Sequence, residues 1–245
     1  MRLDIFLVAR GLTKSRTEAK QLIVGGFVSV LGKTVTQPAH SVEEDMPIDA
    51  CEIDRSQIRY VSRGGLKLEG ALKTFSLSPE NRICLDVGAS SGGFTDCLLQ
   101  NGAAYVYAVD AGEGQMSAAL IGNPRIVLVE NYNARYMKKL DFDKPISFAV
   151  MDVSFISQTL ILPALFQVLE AGADVVTLIK PQFELTRSAL NKKGIVKDES
   201  YQKDAIMRVE ACASTLGFCV KGVIQSPIQG GDGNTEYLLY LKKEL

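Results

Sequence analysis

The chain has 245 residues, with 27 Lys and Arg against 28 Asp and Glu, one His, and a hydrophobic content of 47%. This composition excludes a disordered chain and allows one large domain or two smaller ones around a sizeable core. The net charge of −1 gives no overall nucleic-acid signature, but residues 1–33 hold six basic and two acidic side chains, while residues 34–54 hold six acids and no Lys or Arg.

The five cysteines form no C-x-x-C pair and His40 is the only histidine, so no metal site is expected. Cys84 and Cys219 sit inside apolar runs and read as buried, reduced thiols, which suits a reducing compartment. Arg2, Asp4 and Arg10 interrupt the apolar N-terminus, which argues against a signal peptide. No apolar run approaches the roughly 18 residues of a membrane span. A soluble cytoplasmic protein, free of membranes and either monomeric or weakly dimeric, is expected.

In chain order, residues 2–10 predict a short amphipathic helix with Leu3, Phe6 and Leu7 on one face. After a turn at Gly11–Lys14, Ser15-Arg16-Thr17-Glu18 fits a capping box, and Ala19, Leu22 and Ile23 give the next helix its apolar stripe. Gly25-Gly26 ends it. Phe27, Val28, Val30 and Val35 predict a hairpin turning at Leu31-Gly32-Lys33. Together with Arg2-Leu3-Asp4, these residues resemble the ribosomal-protein-S-four-type RNA-binding domain, over residues 1–55. The resemblance implies RNA contacts by Arg2, Lys14, Ser15, Arg16 and Lys20, with Arg63 beyond. Phosphate contacts of this kind position RNA without reading its sequence.

Residues 56–63 are expected to be a linker that hinges on substrate engagement. From residue 64 onward, short β-branched runs at Ile83–Val87, Tyr105–Val109, Ile126–Val129, Ile146–Met151 and Val175–Ile179 alternate with helical stretches at about 93–101, 157–169 and 201–216. This alternation predicts an α/β fold with a mostly parallel, Rossmann-like sheet over residues 64–245. The loop between Cys219–Ile224 and Glu236–Leu241 is too short for a helical crossover, so the last strand is expected to be antiparallel.

The segment Asp86-Val87-Gly88-Ala89-Ser90-Ser91-Gly92-Gly93-Phe94-Thr95 runs from strand through glycine-rich turn to helix. Such a turn lets backbone approach a ligand at the carboxyl edge of a doubly wound sheet. It lacks the G-x-G-x-x-G spacing of a nicotinamide dinucleotide site, and Asp86 suits a cationic ligand. Asp110, ending the second strand, is placed for ribose hydroxyls, and Glu130, Asn131 and Asn133 for the adenine pocket. With Asp86, Gly88, Ala89, Ser90, Gly92, Gly93, Phe94 and Asp152, these residues make an expected S-adenosylmethionine site.

Lys67, Asp152, Lys180 and Glu236 stand out as polar residues in apolar or glycine-rich contexts. A lysine ending a buried strand is costly unless paired or used. Methylating a ribose hydroxyl requires its proton to be removed, and a lysine serves only if burial and a second cation depress its pKa. Asp152 and Glu236 act in the opposite sense. A structural salt-bridge cluster is the alternative.

These four residues, the glycine turn and the N-terminal pattern together resemble the TlyA (hemolysin A) family, whose catalytic domain is similar to FtsJ-type ribose methyltransferases. The matching motifs include Ser62-Arg63-Gly64-Gly65-x-Lys67-Leu68, Asp152-Val153-Ser154-Phe155, Ile179-Lys180-Pro181-Gln182-Phe183-Glu184 and Gly230–Glu236. The resemblance implies S-adenosylmethionine-dependent 2′-O-methylation of cytidine in ribosomal RNA within ribosomal subunits. It also implies a catalytic tetrad of Lys67, Asp152, Lys180 and Glu236, with Lys180 as the base. Glu130–Arg135 departs from the family's Glu-Arg-Thr-Asn-x-Arg pattern. The short ends of the chain resemble members restricted to large-subunit (23S) RNA, with small-subunit (16S) RNA a further candidate. A base-modifying enzyme is disfavoured because no proline follows Asp152. A cytolysin is disfavoured because no pore-forming segment is evident.

Overall fold

The computed structural model describes residues 1–54, 58–230 and 233–244. The first part of the chain holds helices α1 (Leu3–Ala9) and α2 (Arg16–Val24) against a three-stranded antiparallel sheet of β1 (Val28–Val30), β2 (Lys33–Thr34) and β3 (Cys51–Ile53), in the order β2-β1-β3. Leu3, Phe6, Leu7, Ala19, Ile23 and Val28 form its core. The hairpin has its expected turn, with Leu31 and Gly32 both at positive φ, which matches the right-handed twist of paired strands. β3, inside the acidic segment, was not anticipated.

The remainder is a Rossmann-like α/β unit. It contains α3 (Gly64–Thr74), β4 (Ile83–Val87), α4 (Gly93–Gln100), β5 (Tyr105–Val109), β6 (Ile126–Val129), β7 (Ile146–Met151), α5 (Leu162–Val168), β8 (Leu169–Ile179), α6 (Pro181–Glu184), α7 (Glu199–Leu216), β9 (Phe218–Gln225) and β10 (Tyr237–Lys243). The sheet order is β6-β5-β4-β7-β8-β10-β9. Strands β4 to β8 are parallel, and β10 runs antiparallel to both β8 and β9. Alternate residues of each central strand face opposite cores. Leu85, Ala149 and Val175 pack towards α5 and α7, while Cys84, Phe148 and Val176 pack towards α3 and α4. Because both faces are covered, the strands read as continuous apolar runs.

Further elements of this unit differ from the sequence expectation. α3 was not anticipated, because its Gly-Gly start resembles a loop. The region expected as one helix over 157–169 is a 3-10 turn at Gln158–Leu160 followed by the shorter α5, with Pro163 in its first turn. The strand after it starts at Leu169, not Val175, and bulges against β7.

Two of the residues expected to form the linker, 56 and 57, lie outside the described residues. Residues 58–63 do not hang free. Tyr60 is buried beside Leu68 and Cys97. Val61 N–H donates to Asp96 Oδ2 at 2.8 Å, Gln100 Nε2 donates to the Arg59 carbonyl, and Arg59 pairs with Glu69. On the other side, Arg63 N–H donates to the Gly25 carbonyl at 3.0 Å. The segment therefore joins the end of α2 to the start of α3 and α4.

Candidate active site

Four neighbouring strand ends build the site. β4, β7 and β8 end at one edge of the sheet in Val87, Met151 and Ile179. β10 is antiparallel, so its beginning lies at this same edge. Tyr237 pairs with Ile179, which sets Glu236 beside Lys180. Lys67 comes from α3, whose first turn lies against that of α4. A Cβ on Gly93 would come within 3.0 Å of Gly65 N, and one on Gly65 would run into the Tyr60 ring. Only glycine permits this approach, which brings Lys67 to the strand ends.

The four side chains form two ion pairs. Lys67 Nζ lies 2.5 Å from Glu236 Oε2, and Lys180 Nζ lies 2.6 Å from Asp152 Oδ1. Lys180 also donates to Ser154 Oγ at 2.9 Å. Glu236 is only 3% exposed and Lys67 11%, so the first pair is shielded from water. Burial pulls the Lys180 pKa down, but the charge and hydrogen bond of Asp152 and the charge of Glu236 outweigh it, and the net shift is upward. Burial pushes Asp152 up, yet Lys180 and Lys67 hold it below the ordinary carboxylate range. The carboxylates of Asp152 and Glu236 therefore favour the ammonium form of Lys180.

Beside the tetrad lie two clefts. One, of about 400 Å³, is walled by Val109, Asp110, Tyr132, Asn133 and residues 152–156. The other, of about 230 Å³, is walled by Gly25, Gly26, Arg63, Lys67 and Lys180. Gly88, Ser90, Asp152 and Ser154 line both, so the clefts meet at Asp152. Gly88 has φ +84°, and a Cβ there would collide with the Asp152 carbonyl oxygen. Asp110 accepts N–H bonds from Ser90 and Gly112, each at 2.7 Å, which fixes its carboxylate while leaving lone pairs for a ligand.

The other residues expected at a cofactor site are placed unevenly. Ala89 lines the smaller cleft, as do Gly93 and Phe94, whose ring is otherwise buried in the core. Gly92, in the left-handed region at φ +91°, starts α4. Asp86 does not reach either cleft. It is fully buried, accepts from Thr95 Oγ1 at 2.6 Å, and leaves Oδ1 buried without a partner. Any contact it makes with a ligand must be indirect. Glu130 turns to Gly114 N–H, and Asn131 is exposed at φ +55°. Asn133 lines the larger cleft while capping a 3-10 turn. Tyr132, within the Glu130–Asn133 segment expected at the adenine pocket, lines that cleft, as do Gln115 and Val153, which were not among the expected residues. Val153 adjoins Asp152 in the chain, which was the available signal for it, whereas Gln115 has no such neighbour.

At the N-terminal unit, Ser15 is a helix cap that accepts from Glu18 N–H, which commits its hydroxyl to the fold. Arg2 and Arg16 both pair with the fully buried Asp4, at 2.9 and 2.8 Å. Arg2 and Arg16 hold the Asp4 carboxyl down at about 2, against the effect of burial. Both arginines remain about half exposed, so each still presents donors outward. Lys14 and Lys20 are exposed.

The profile of the FtsJ-like methyltransferase family matches residues 60–243, and that of the S4 domain matches residues 1–48. The chain is 40% identical to the 16S/23S rRNA (cytidine-2′-O)-methyltransferase TlyA of Mycobacterium tuberculosis, over 99% of this chain and 90% of that protein. It is 44% identical to hemolysin A of Brachyspira hyodysenteriae, over 98% of this chain and 99% of that protein. A solved structure from Streptococcus thermophilus, provisionally named a hemolysin, is 44% identical and superposes with a TM-score of 0.78, covering 100% of this chain and 88% of that one. The chain therefore belongs to the FtsJ-like methyltransferase family, in the branch that contains TlyA and hemolysin A, and is a methyltransferase with an N-terminal S4 domain.

Proposed function

We propose that this chain transfers a methyl group from S-adenosylmethionine to the 2′-oxygen of a cytidine ribose in ribosomal RNA, in the large subunit. The observation that carries this reading is the Lys180–Asp152 pair at the point where the two clefts meet. The names of the relatives supply the nucleotide and the RNA class. The reaction would run in the cytoplasm, on ribosomal subunits.

The larger cleft fits the donor. Asp110 is fixed to accept ribose hydroxyls, Val109, Tyr132 and Ile156 offer apolar walls for a base, and glycine at position 88 keeps the floor open. When bound, S-adenosylmethionine supplies an electrophilic methyl group on a sulfonium centre. The chain's own residues do the rest. In its minor neutral form, Lys180 Nζ would take the 2′-hydroxyl proton as the ribose O–C bond forms and the donor's S–C bond breaks, and Asp152 would orient that amine. Lys67, held by Glu236, provides a cation that balances charge developing on oxygen. In the acceptor cleft, Arg63 lies beside Lys67, and Arg2, Lys14, Arg16 and Lys20 of the N-terminal unit would meet phosphates. The division into an RNA-binding unit over 1–55 and a catalytic unit over 64–245 follows from the same reading.

Base methylation gains no support, since a base nitrogen needs no pair of lysines. The cytolytic reading meets a structural objection: no helix among the described residues is long and apolar enough to cross a membrane. The test is transfer of labelled methyl to isolated large and small subunits, with Lys180→Ala alongside. Label recovered as 2′-O-methylcytidine from the large subunit, and lost in the variant, is the expected result. Label on a base, or label unchanged in the variant, would overturn the proposal.

A further inference from the structure

A groove of about 610 Å³ runs between the β1–β2 turn of the N-terminal unit and the 191–196 loop of the sheet unit. Lys33 stands on one bank, Lys193 on the other, and Arg63 at the inner end. Among the described residues, the lining holds these three cations and no acid, in a chain whose net charge is −1. Both lysines are exposed, and neither makes an ion pair among the described residues.

The banks are rigid. The primed turn at Leu31-Gly32 fixes Lys33. Asn191 Oδ1 accepts N–H bonds from Lys193 and Ile195, and the buried Asn234 ties that loop down through Val196 N–H and the Gly194 carbonyl. Arg63 lies flat on the backbone at Gly26, where a Cβ would come within 3.0 Å of its Nε. That Nε is buried and has no hydrogen-bond partner. Glu236 and Asp54 act on the Arg63 charge, but its Nε donor still lacks an acceptor, which an anion in the groove's inner end could help satisfy. Arg63 and Gln229 also line the cleft that holds Lys67 and Lys180, so the groove opens into the acceptor side of the site.

We infer that this groove carries the sugar–phosphate backbone of the RNA strand flanking the target ribose. Arg63 holds the phosphate nearest the tetrad, and Lys33 and Lys193 hold phosphates farther out. Among the described residues the groove lining holds no aromatic platform, so it grips backbone rather than bases, and the grip does not depend on sequence. The inference rests on RNA being the acceptor.

The test uses the full chain, a short fluorescein-labelled single-stranded RNA, and anisotropy between about 50 and 200 mM salt. Lys33→Ala, Lys193→Ala and the double variant are compared with wild type and with Lys221→Ala, a distant exposed lysine. Each groove substitution is expected to weaken binding and to flatten the slope of log affinity against log salt by about 0.7, with the two adding in the double variant. Lys221→Ala should match wild type. A double variant with wild-type affinity and slope overturns the groove, as does wild type that does not bind the RNA. Methyl transfer to ribosomal subunits is measured in parallel. Slopes that change while wild type transfers no methyl would keep the groove and remove the proposed reaction. Transfer with unchanged slopes would do the reverse.

Discussion

Lys67 Nζ lies 2.5 Å from Glu236 Oε2, although 169 residues separate them in the chain. Two features create the contact. The Gly64-Gly65 start of α3 lets that helix press against the start of α4, and the reversed direction of β10 brings Glu236 to the carboxyl edge. A Cβ on Gly230 would come within 2.5 Å of Glu236 Oε1, so the loop before β10 is shaped around the carboxylate as well. The pair holds one cation of the tetrad in place while the Lys180–Asp152 pair holds the other.

The resting state of Lys180 sets the pH dependence of the reaction. Its pKa is raised by Asp152, so the neutral amine is the minor form near neutrality. Below that pKa, the neutral fraction grows about tenfold per pH unit. Asp152 is held low and stays ionised throughout. Single-turnover kcat/KM should therefore climb with a slope of about one in log units between about pH 6 and 8. A flat profile over that range would remove Lys180 from the role of base.

Asp86 gives stability an opposite trend. Burial pushes its carboxyl up to about 7, against a hydrogen bond from Thr95. The unfolded chain titrates near 3.9, so the folded chain keeps the proton longer. The contribution of Asp86 is full below about pH 4 and is lost as pH rises through about 7. Asp86→Asn should flatten this part of the curve. Urea midpoints at pH 5 and pH 8 provide the measurement: equal changes in wild type and variant would contradict the prediction.

Gly88→Ala adds a Cβ at φ +84° and drives it into the Asp152 carbonyl oxygen. Strain and overlap together should cost about 1–3 kcal/mol, or roughly 2–4 °C of Tm for each kcal/mol. The turn joins both clefts, so donor affinity by calorimetry should fall as well. A variant with wild-type melting and wild-type affinity would show that the loop has another low-energy path.

Phe155 is 91% exposed and has φ +63°, with its ring 5.1 Å from that of Phe183 at the mouth of the larger cleft. A large apolar side chain held outward in a strained conformation has no packing role. Phe155→Ala should leave the stability within about 0.5 kcal/mol of wild type. Loss of a stacking face for a nucleobase should lower kcat/KM for RNA about tenfold or more, by more than any change in donor affinity. Equal kcat/KM for RNA in variant and wild type would rule out stacking.

The sequence by itself determined the elements whose physics is local. The capping residue Ser15, the turn at Leu31-Gly32, the five parallel strands and the glycine turn after Asp86 all come from periodicity and from residues with special backbone freedom. It also singled out Lys67, Asp152, Lys180 and Glu236, because polar residues at the ends of apolar strands are conspicuous. Tertiary structure decided what each of those groups faces. α3 escaped notice because its Gly-Gly start looks like a turn until α4 is seen packed against it. Arg2 and Arg16 looked like free cations until Asp4 was found buried between them. For Asp86 the sequence left a direct or an indirect ligand contact open, and strand alternation turns the carboxylate into the core beside Thr95, which leaves only the indirect one. The direction of the Lys180 shift depends on the distances to Asp152 and Glu236 weighed against burial, and distances between residues far apart in the chain exist only once it has folded.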